Sequence, residues 1–269
     1  MRSLNGRELA DFIKERQARQ VRALRQADHV IPTLAIVQTS DNPVIDTYVR
    51  MKQRYGEDIL VEVERHRPSN EDLFSTIIAL NDDPSVHGII LQLPLDDESQ
   101  TQEAVDLVAP AKDVDGLGVN AELVPATAMA IDWLLAGYNV DLSKQIGIIG
   151  EGRLVGAPLA KLWKTAGRNV TTFNRKSDDM KDRLADMDII VTAAGVPELL
   201  KTEDVKSGAV VVDAATSAEH GKIVGDVSDA LYERDDISIT PKIGGVGPLT
   251  VTALFDNVIR AAQNTTVKN

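Results

Sequence analysis

Two successive series of short apolar runs alternating with amphipathic stretches predict an α/β fold in two domains, each built from parallel βαβ units. Three observations carry this expectation. The length of 269 residues exceeds an ordinary single domain. The apolar runs are short and rich in Val, Ile and Leu, while the stretches between them repeat at helical spacing. A glycine-rich run in the second series lies between a strand pattern and a helix pattern, the place where open α/β sheets turn.

The elements follow in order. The chain opens on MRSLNGRELADFIKER, charged and helical, with no apolar core of the signal-peptide kind. Strands are predicted over TLAIVQ (33–38), DILVEVER (58–65) and HGIILQLPL (87–95). Helices are predicted over 43–56 and 70–81, the second introduced by Ser69-Asn70-Glu71-Asp72 as a capping signal. A helix over 101–109 ends at Pro110, and KDVDGLGVN beyond it reads as a loop. The second series comprises strand QIGIIG (145–150), helix APLAKLWKTAG (157–167), and strands NVTTFN (169–174), DIIVTAAG (188–195), AVVVDAA (209–215) and SIT (238–240). A last helix is predicted over 250–263. The organisation expected is an N-terminal three-layer α/β catalytic domain (1–125 plus 250–269) and a Rossmann-type dinucleotide-binding domain (126–249). The C-terminal helix returns to the first domain.

Composition narrows the partners. The formal charge of −12 makes long-range steering toward nucleic acid or an anionic membrane repulsive, so neither is expected as a partner. No apolar run approaches the ~20 residues that span a bilayer, and a cytoplasmic protein is expected. The absence of cysteine excludes disulfides, thiolate metal sites and a cysteine nucleophile. The four histidines, His29, His66, His87 and His220, are scattered without ligand spacing, and no metal site is expected.

In GIIGEGRLVGAP the glycines stand at Gly150, Gly152 and Gly156, with Glu151 and Arg153 among them. Between a strand and a helix, such glycines let backbone approach a pyrophosphate held by N–H groups at the helix start. The next strand ends in Asn174-Arg175-Lys176 rather than in the acid that reads the ribose of NAD. Two cations there suit the 2′-phosphate of NADP, Arg175 bidentately. Glu151 argues for NAD, because a carboxylate pointing inward would repel that phosphate, so NADP is the expected cofactor with NAD left possible.

In the first series Tyr48 and Lys52 lie four residues apart on a predicted helix and share a face. Gln92 falls near the carboxyl end of a strand, the edge where open α/β sheets bind ligands. Asp113 and Asp115 lie in the loop after the next helix, and TPKIGGVGPLT (240–250) is a Gly/Pro loop that would let backbone approach a flat ligand. In order, Tyr48-x-x-x-Lys52, Gln92-Leu-Pro-Leu, Lys112-Asp-Val-Asp-Gly116, the Gly150 loop with Val155-Gly156-x-Pro158, Gly225-Asp-Val227 and Gly244-Gly-Val-Gly-Pro-Leu-Thr250 resemble the methylenetetrahydrofolate dehydrogenase/cyclohydrolase family.

The resemblance implies oxidation of 5,10-methylenetetrahydrofolate to the methenyl cation with NADP, then hydrolysis to 10-formyltetrahydrofolate. It implies Lys52 as general acid/base, Gln92 as its hydrogen-bond partner, Tyr48 ordering the site and Asp115 binding the pterin ring. Gly244, Gly245, Gly247, Pro248 and Thr250 would join these four residues in holding the substrate, a tetrahydrofolate one-carbon derivative. Gly150, Glu151, Gly152, Arg153, Gly156, Arg175, Lys176 and Thr216 would hold the cofactor, and the family implies a homodimer. Glu151-Gly152 departs from the family's frequent Arg-Ser. Two other readings stay open: an NAD-preferring monofunctional dehydrogenase, and a relative that binds folate or nucleotide without turnover.

Overall fold

The structure, a computed structural model, describes residues 2–177, 180–215, 217–219 and 222–266. Its first half runs β1 (Arg2–Ser3), α1 (Gly6–Ala23), β2 (Thr33–Val37), α2 (Pro43–Ile59), β3 (Glu62–His66), α3 (Leu73–Asp82), β4 (Gly88–Leu91), α4 (Thr101–Leu107) and α5 (Ala126–Gly137). The second runs β5 (Ile146–Ile149), α6 (Gly156–Thr165), β6 (Val170–Phe173), α7 (Met180–Leu184), β7 (Ile189–Thr192) and β8 (Val210–Asp213). It closes with β9 (Ser217–Glu219), β10 (Lys222–Val224), β11 (Ser238–Ile239) and α8 (Val246–Thr266). Two compact units form, Asp11–Ala126 with Val251–Asn269, and Met1–Ala10 with Thr127–Thr250. Among the described residues no helix is long and apolar enough to cross a membrane.

The first unit holds a three-stranded parallel sheet in the order β3-β2-β4. Its central strand is buried on both faces, which explains why LAIV (34–37) is continuously apolar rather than alternating. Ala35, Val37, Ile89 and Leu91 pack against Leu73, Ile77 and Leu80 of α3 and Val105 of α4. Leu34, Ile36 and Ile90 alternate to the other face and are also buried. Strand β3 begins later than expected because α2 continues to Ile59. That helix ends where Leu60 turns left-handed, φ 65°, and its N–H donates to the carbonyls of Glu57 and Gly56.

The C-terminal helix belongs to this unit from Val251 onward. Gln17 Nε2 donates to the Thr252 carbonyl at 2.9 Å, and Tyr55 stacks on Phe255 with ring centroids 4.9 Å apart. Fully buried Asn257 donates to the carbonyls of Val114 and Val124, both at 2.9 Å, so α8 fixes the loop that carries Asp115. Asn257→Ala would leave one buried and one half-buried carbonyl without their donor. We expect it to destabilise the protein by about 2–4 kcal/mol, seen as a lower urea midpoint.

The second unit holds a six-stranded sheet ordered β1-β11-β8-β7-β5-β6, parallel at every pairing, and an antiparallel β9–β10 pair that the sequence pattern does not predict. From β5 the chain passes to β6 on one side, then returns to β7 on the other. That reversal marks the ligand crevice of a Rossmann sheet, at the carboxyl ends of β5 and β7. The first ten residues, expected in the N-terminal domain, group with this unit instead. The cause is β1, which pairs Arg2 with Ser238 and Ser3 with Ile239, a strand too short to show a pattern in sequence. Helix α5 is likewise absent from the sequence expectation. Ala126, Ala128, Ala130, Ile131, Leu134 and Leu135 are all buried, so it is apolar around most of its circumference and lacks the amphipathic period.

Candidate active site

Helix α2 starts where the Asn42 side chain accepts the N–H of Val44 at 2.9 Å, with Pro43 in the first turn. This start sets the rotation of the helix: Ile45 and Val49 are buried, while Tyr48 is 38% exposed and Lys52 half-buried. Lys52 Nζ donates to Gln92 Oε1 at 2.6 Å. Gln92 stands just past the end of β4, and its N–H continues the ladder to the Val37 carbonyl at 2.8 Å. The amide oxygen is thereby aimed from the sheet edge at the lysine.

Burial holds the Lys52 ammonium below its usual pKa, opposed by the negative charge of Asp115. Burial likewise pushes Asp115 up to about 6, restrained by Lys52 and reinforced by Asp113. The described residues show no direct ion pair between Lys52 and Asp115. The lysine therefore has a neutral hydrogen-bond acceptor and a carboxylate acting through space, and burial makes its neutral amine easier to reach than that of a lysine in water.

The Lys112-Asp-Val-Asp-Gly116 motif divides its labour. Lys112 Nζ donates to the carbonyls of Leu80 and Asp83 at 3.0 and 2.6 Å, closing the end of α3. Asp113 is buried and accepts the N–H groups of Gly116 at 2.9 Å and Gly118 at 2.7 Å, shaping the loop. Gly116 takes φ 70°, and a Cβ there would come 2.8 Å from the Leu123 carbonyl oxygen. Of the two aspartates it is Asp115 whose charge acts on Lys52.

In the second unit, a Cβ on Gly156 would fall 1.9 Å from the Gly150 carbonyl oxygen, so α6 can start against the end of β5 only without a side chain. Among the described residues other than its chain neighbours, no heavy atom lies within 4 Å of a Cβ built on Gly152. Among the described residues no side chain caps α6; in its first turn the Ala157 N–H donates to the Gly152 carbonyl at 3.1 Å and Pro158 has none, so the Gly156 N–H is the one that suits an anion such as the cofactor's pyrophosphate. Glu151 folds onto the end of β6: Oε1 accepts Thr172 Oγ1 at 2.8 Å and Oε2 accepts Asn174 Nδ2 at 2.5 Å. Hydrogen bonds from Asn174 and then Thr172 hold its carboxyl below the usual range. Arg175 and Lys176 are exposed on the turn beyond β6, which the Asn174 side chain braces by accepting the Lys176 N–H at 2.8 Å. Arg153 lies half-buried in the turn before α6. Thr216 lies outside the described residues.

The glycine run 244–247 also belongs to the second unit. The Gly244 carbonyl accepts the Arg7 N–H at 3.1 Å, and the Gly245 carbonyl lies where a Cβ on Gly6 would fall, 1.9 Å away. Helix α8 already starts at Val246, so Gly247, Pro248 and Thr250 occupy its first turns rather than a loop. Proline is accommodated there because first-turn N–H groups have no partner within the helix.

Sequence reasoning misses the role of Asp226. Fully buried, it accepts the N–H groups of Ala194 and Val196, both at 2.7 Å, and fixes the loop after β7 beside the crevice. Asp213, the last residue of β8, accepts Thr192 Oγ1 at 3.0 Å. The available signal for Asp226 is the Gly225-Asp-Val227 motif, and for Asp213 a carboxylate ending an apolar strand in VVVDAA.

Comparison with known proteins agrees in both halves. Residues 4–115 match the tetrahydrofolate dehydrogenase/cyclohydrolase catalytic-domain model, and residues 125–266 match the NAD(P)-binding-domain model of the same family. The bifunctional protein FolD of Methanosarcina barkeri is 37% identical over 97% of this chain and 96% of its own. The FolD methylenetetrahydrofolate dehydrogenase/cyclohydrolase structure from Campylobacter jejuni superposes with a TM-score of 0.93 at 33% identity, covering 98% of this chain and 99% of that one. The Trypanosoma brucei FolD structure, complexed with NADP cofactor and an inhibitor, gives 0.90 at 29% identity, covering 98% and 97%. The chain belongs to the tetrahydrofolate dehydrogenase/cyclohydrolase family.

Proposed function

We propose that this chain oxidises 5,10-methylenetetrahydrofolate with NADP and hydrolyses the resulting methenyl cation to 10-formyltetrahydrofolate. The observation that carries the reading is the half-buried Lys52 amine held at 2.6 Å by a neutral amide, Gln92, rather than by a carboxylate. When bound, the nicotinamide ring supplies a hydride acceptor. The substrate's nitrogen lone pairs stabilise the cation left behind, so orientation is the protein's main contribution to that step.

The hydrolytic step needs proton transfer. Water adds to the methenyl carbon while the Lys52 amine takes one of its protons; the ammonium then protonates the departing nitrogen as its bond to that carbon breaks, and the carbinol hydroxyl releases its remaining proton to solvent as the formyl C=O forms. Gln92 orients the amine without fixing it as an ion pair. The cation lowers the lysine's proton affinity further, so the substrate favours the required form. Asp115 accepts donors of the pterin ring and Tyr48 orders the site. Gly244, Gly245, Gly247, Pro248 and Thr250 complete the proposed substrate contacts.

Gly150, Gly152, Gly156 and the start of α6 hold the pyrophosphate, with Arg153 and Thr216 also assigned to the cofactor, and Arg175 and Lys176 hold the 2′-phosphate. Arg175→Ala is expected to lower kcat/KM with NADP by roughly 10–150-fold, equivalent to ~1.5–3 kcal/mol, and to leave NAD little affected. A homodimer in the cytoplasm completes the proposal, the dimer being read by sedimentation equilibrium. The deciding experiment runs both assays on one preparation: NADP reduction with methylenetetrahydrofolate, and loss of the methenyl chromophore. Activity in neither overturns the reading.

A further inference from the structure

We infer that Glu151 reads the adenosine ribose, accepting the 2′-hydroxyl of NAD and opposing the 2′-phosphate of NADP, so that the chain takes NAD alongside NADP. The inference rests on the dinucleotide reading of the Gly150 loop and deepens it.

In a Rossmann sheet the ribose is read by an acid at the end of the strand after the glycine loop. Here that strand is β6, and it is followed by an amide and two cations, Asn174, Arg175 and Lys176. The missing carboxylate comes instead from the loop. Thr172 and Asn174 stand two residues apart at the end of β6 and so project to one side of the strand. Both donate to Glu151, at 2.8 and 2.5 Å. Each carboxylate oxygen has about two acceptor positions and spends one on these bonds, which leaves capacity for a ribose hydroxyl.

The same two bonds hold Glu151 ionised at neutral pH. Its charge therefore stands at the strand end that leads into Arg175 and Lys176, and the two sets of groups favour opposite cofactors. The cations attract a 2′-phosphate, which the carboxylate repels while accepting a hydroxyl.

The test measures dissociation constants of NADPH and NADH by fluorescence titration for the native protein, Glu151→Gln and Glu151→Ser, with thermal melts confirming folding. Calorimetry with 2′-phospho-AMP and AMP isolates the ribose end. Glu151→Gln is expected to tighten NADPH about tenfold and weaken NADH severalfold, and Glu151→Ser to move both the same way. A ratio of the two constants unchanged within about twofold in both variants overturns the assignment, because a bond that merely braces the loop would affect the cofactors equally. Native protein that binds neither dinucleotide overturns the reading of the loop itself. Native binding with an unmoved ratio overturns only the role of Glu151.

Discussion

Lys52→Met is expected to cut cyclohydrolase kcat by roughly 10²–10⁴-fold, a barrier rise of ~3–5.5 kcal/mol, while dehydrogenase activity falls far less. Methionine follows the same path from α2 and fills the space with no nitrogen to carry a proton. The two reactions differ in that respect. Hydrolysis moves protons on and off the reacting atoms, whereas the oxidation transfers a hydride and needs alignment above all. The loss should also leave stability intact. Lys52 is a desolvated amine whose hydrogen-bond partner among the described residues is neutral, so an apolar side chain of similar volume removes a cost of burial. Equal loss of both activities in a stably folded Lys52→Met protein would contradict the proton-transfer role. Lysine cannot be replaced conservatively by arginine here, since a guanidinium does not deprotonate.

What the sequence reveals divides along physical lines. Strand positions are legible because buried parallel strands are short apolar runs, as in LAIV and VVV. Tyr48 and Lys52 can be placed on one face because a helical period is local information. Gln92 can be placed at a strand end for the same reason, although its 2.6 Å bond to Lys52 is a tertiary fact. Interactions that depend on distant partners stay hidden. Two residues of β1 carry no period, and only pairing with Ser238 and Ile239 brings the first residues into the second unit. Asp113 and Asp115 look equivalent in sequence, yet one spends its carboxylate on Gly116 and Gly118 while the charge of the other acts on Lys52. Glu151 could point either way until Thr172 and Asn174 are placed beside it.

Asp115→Asn separates binding from proton transfer more finely. Loss of a charged acceptor for the pterin ring is expected to lower kcat/KM for hydrolysis at neutral pH by roughly 10–150-fold, or ~1.5–3 kcal/mol. The pH profile should change as well. In the native protein the negative charge of Asp115 raises the proton affinity of Lys52 against the opposite pull of burial. With asparagine that support vanishes, the lysine loses its proton at lower pH, and the acid limb of the kcat/KM profile moves down. The native limb should also contain a lower step near pH 6, where the half-buried Asp115 carboxyl takes up its proton, and the variant should lack it. Both steps belong to the coupled pair rather than to either residue, so the comparison is between whole profiles. If Asp115 only shaped the loop, as Asp113 does, its replacement would lower activity at every pH by one factor and leave the acid limb in place. A downward shift with the amine still functional places the carboxylate in electrostatic contact with Lys52 during turnover.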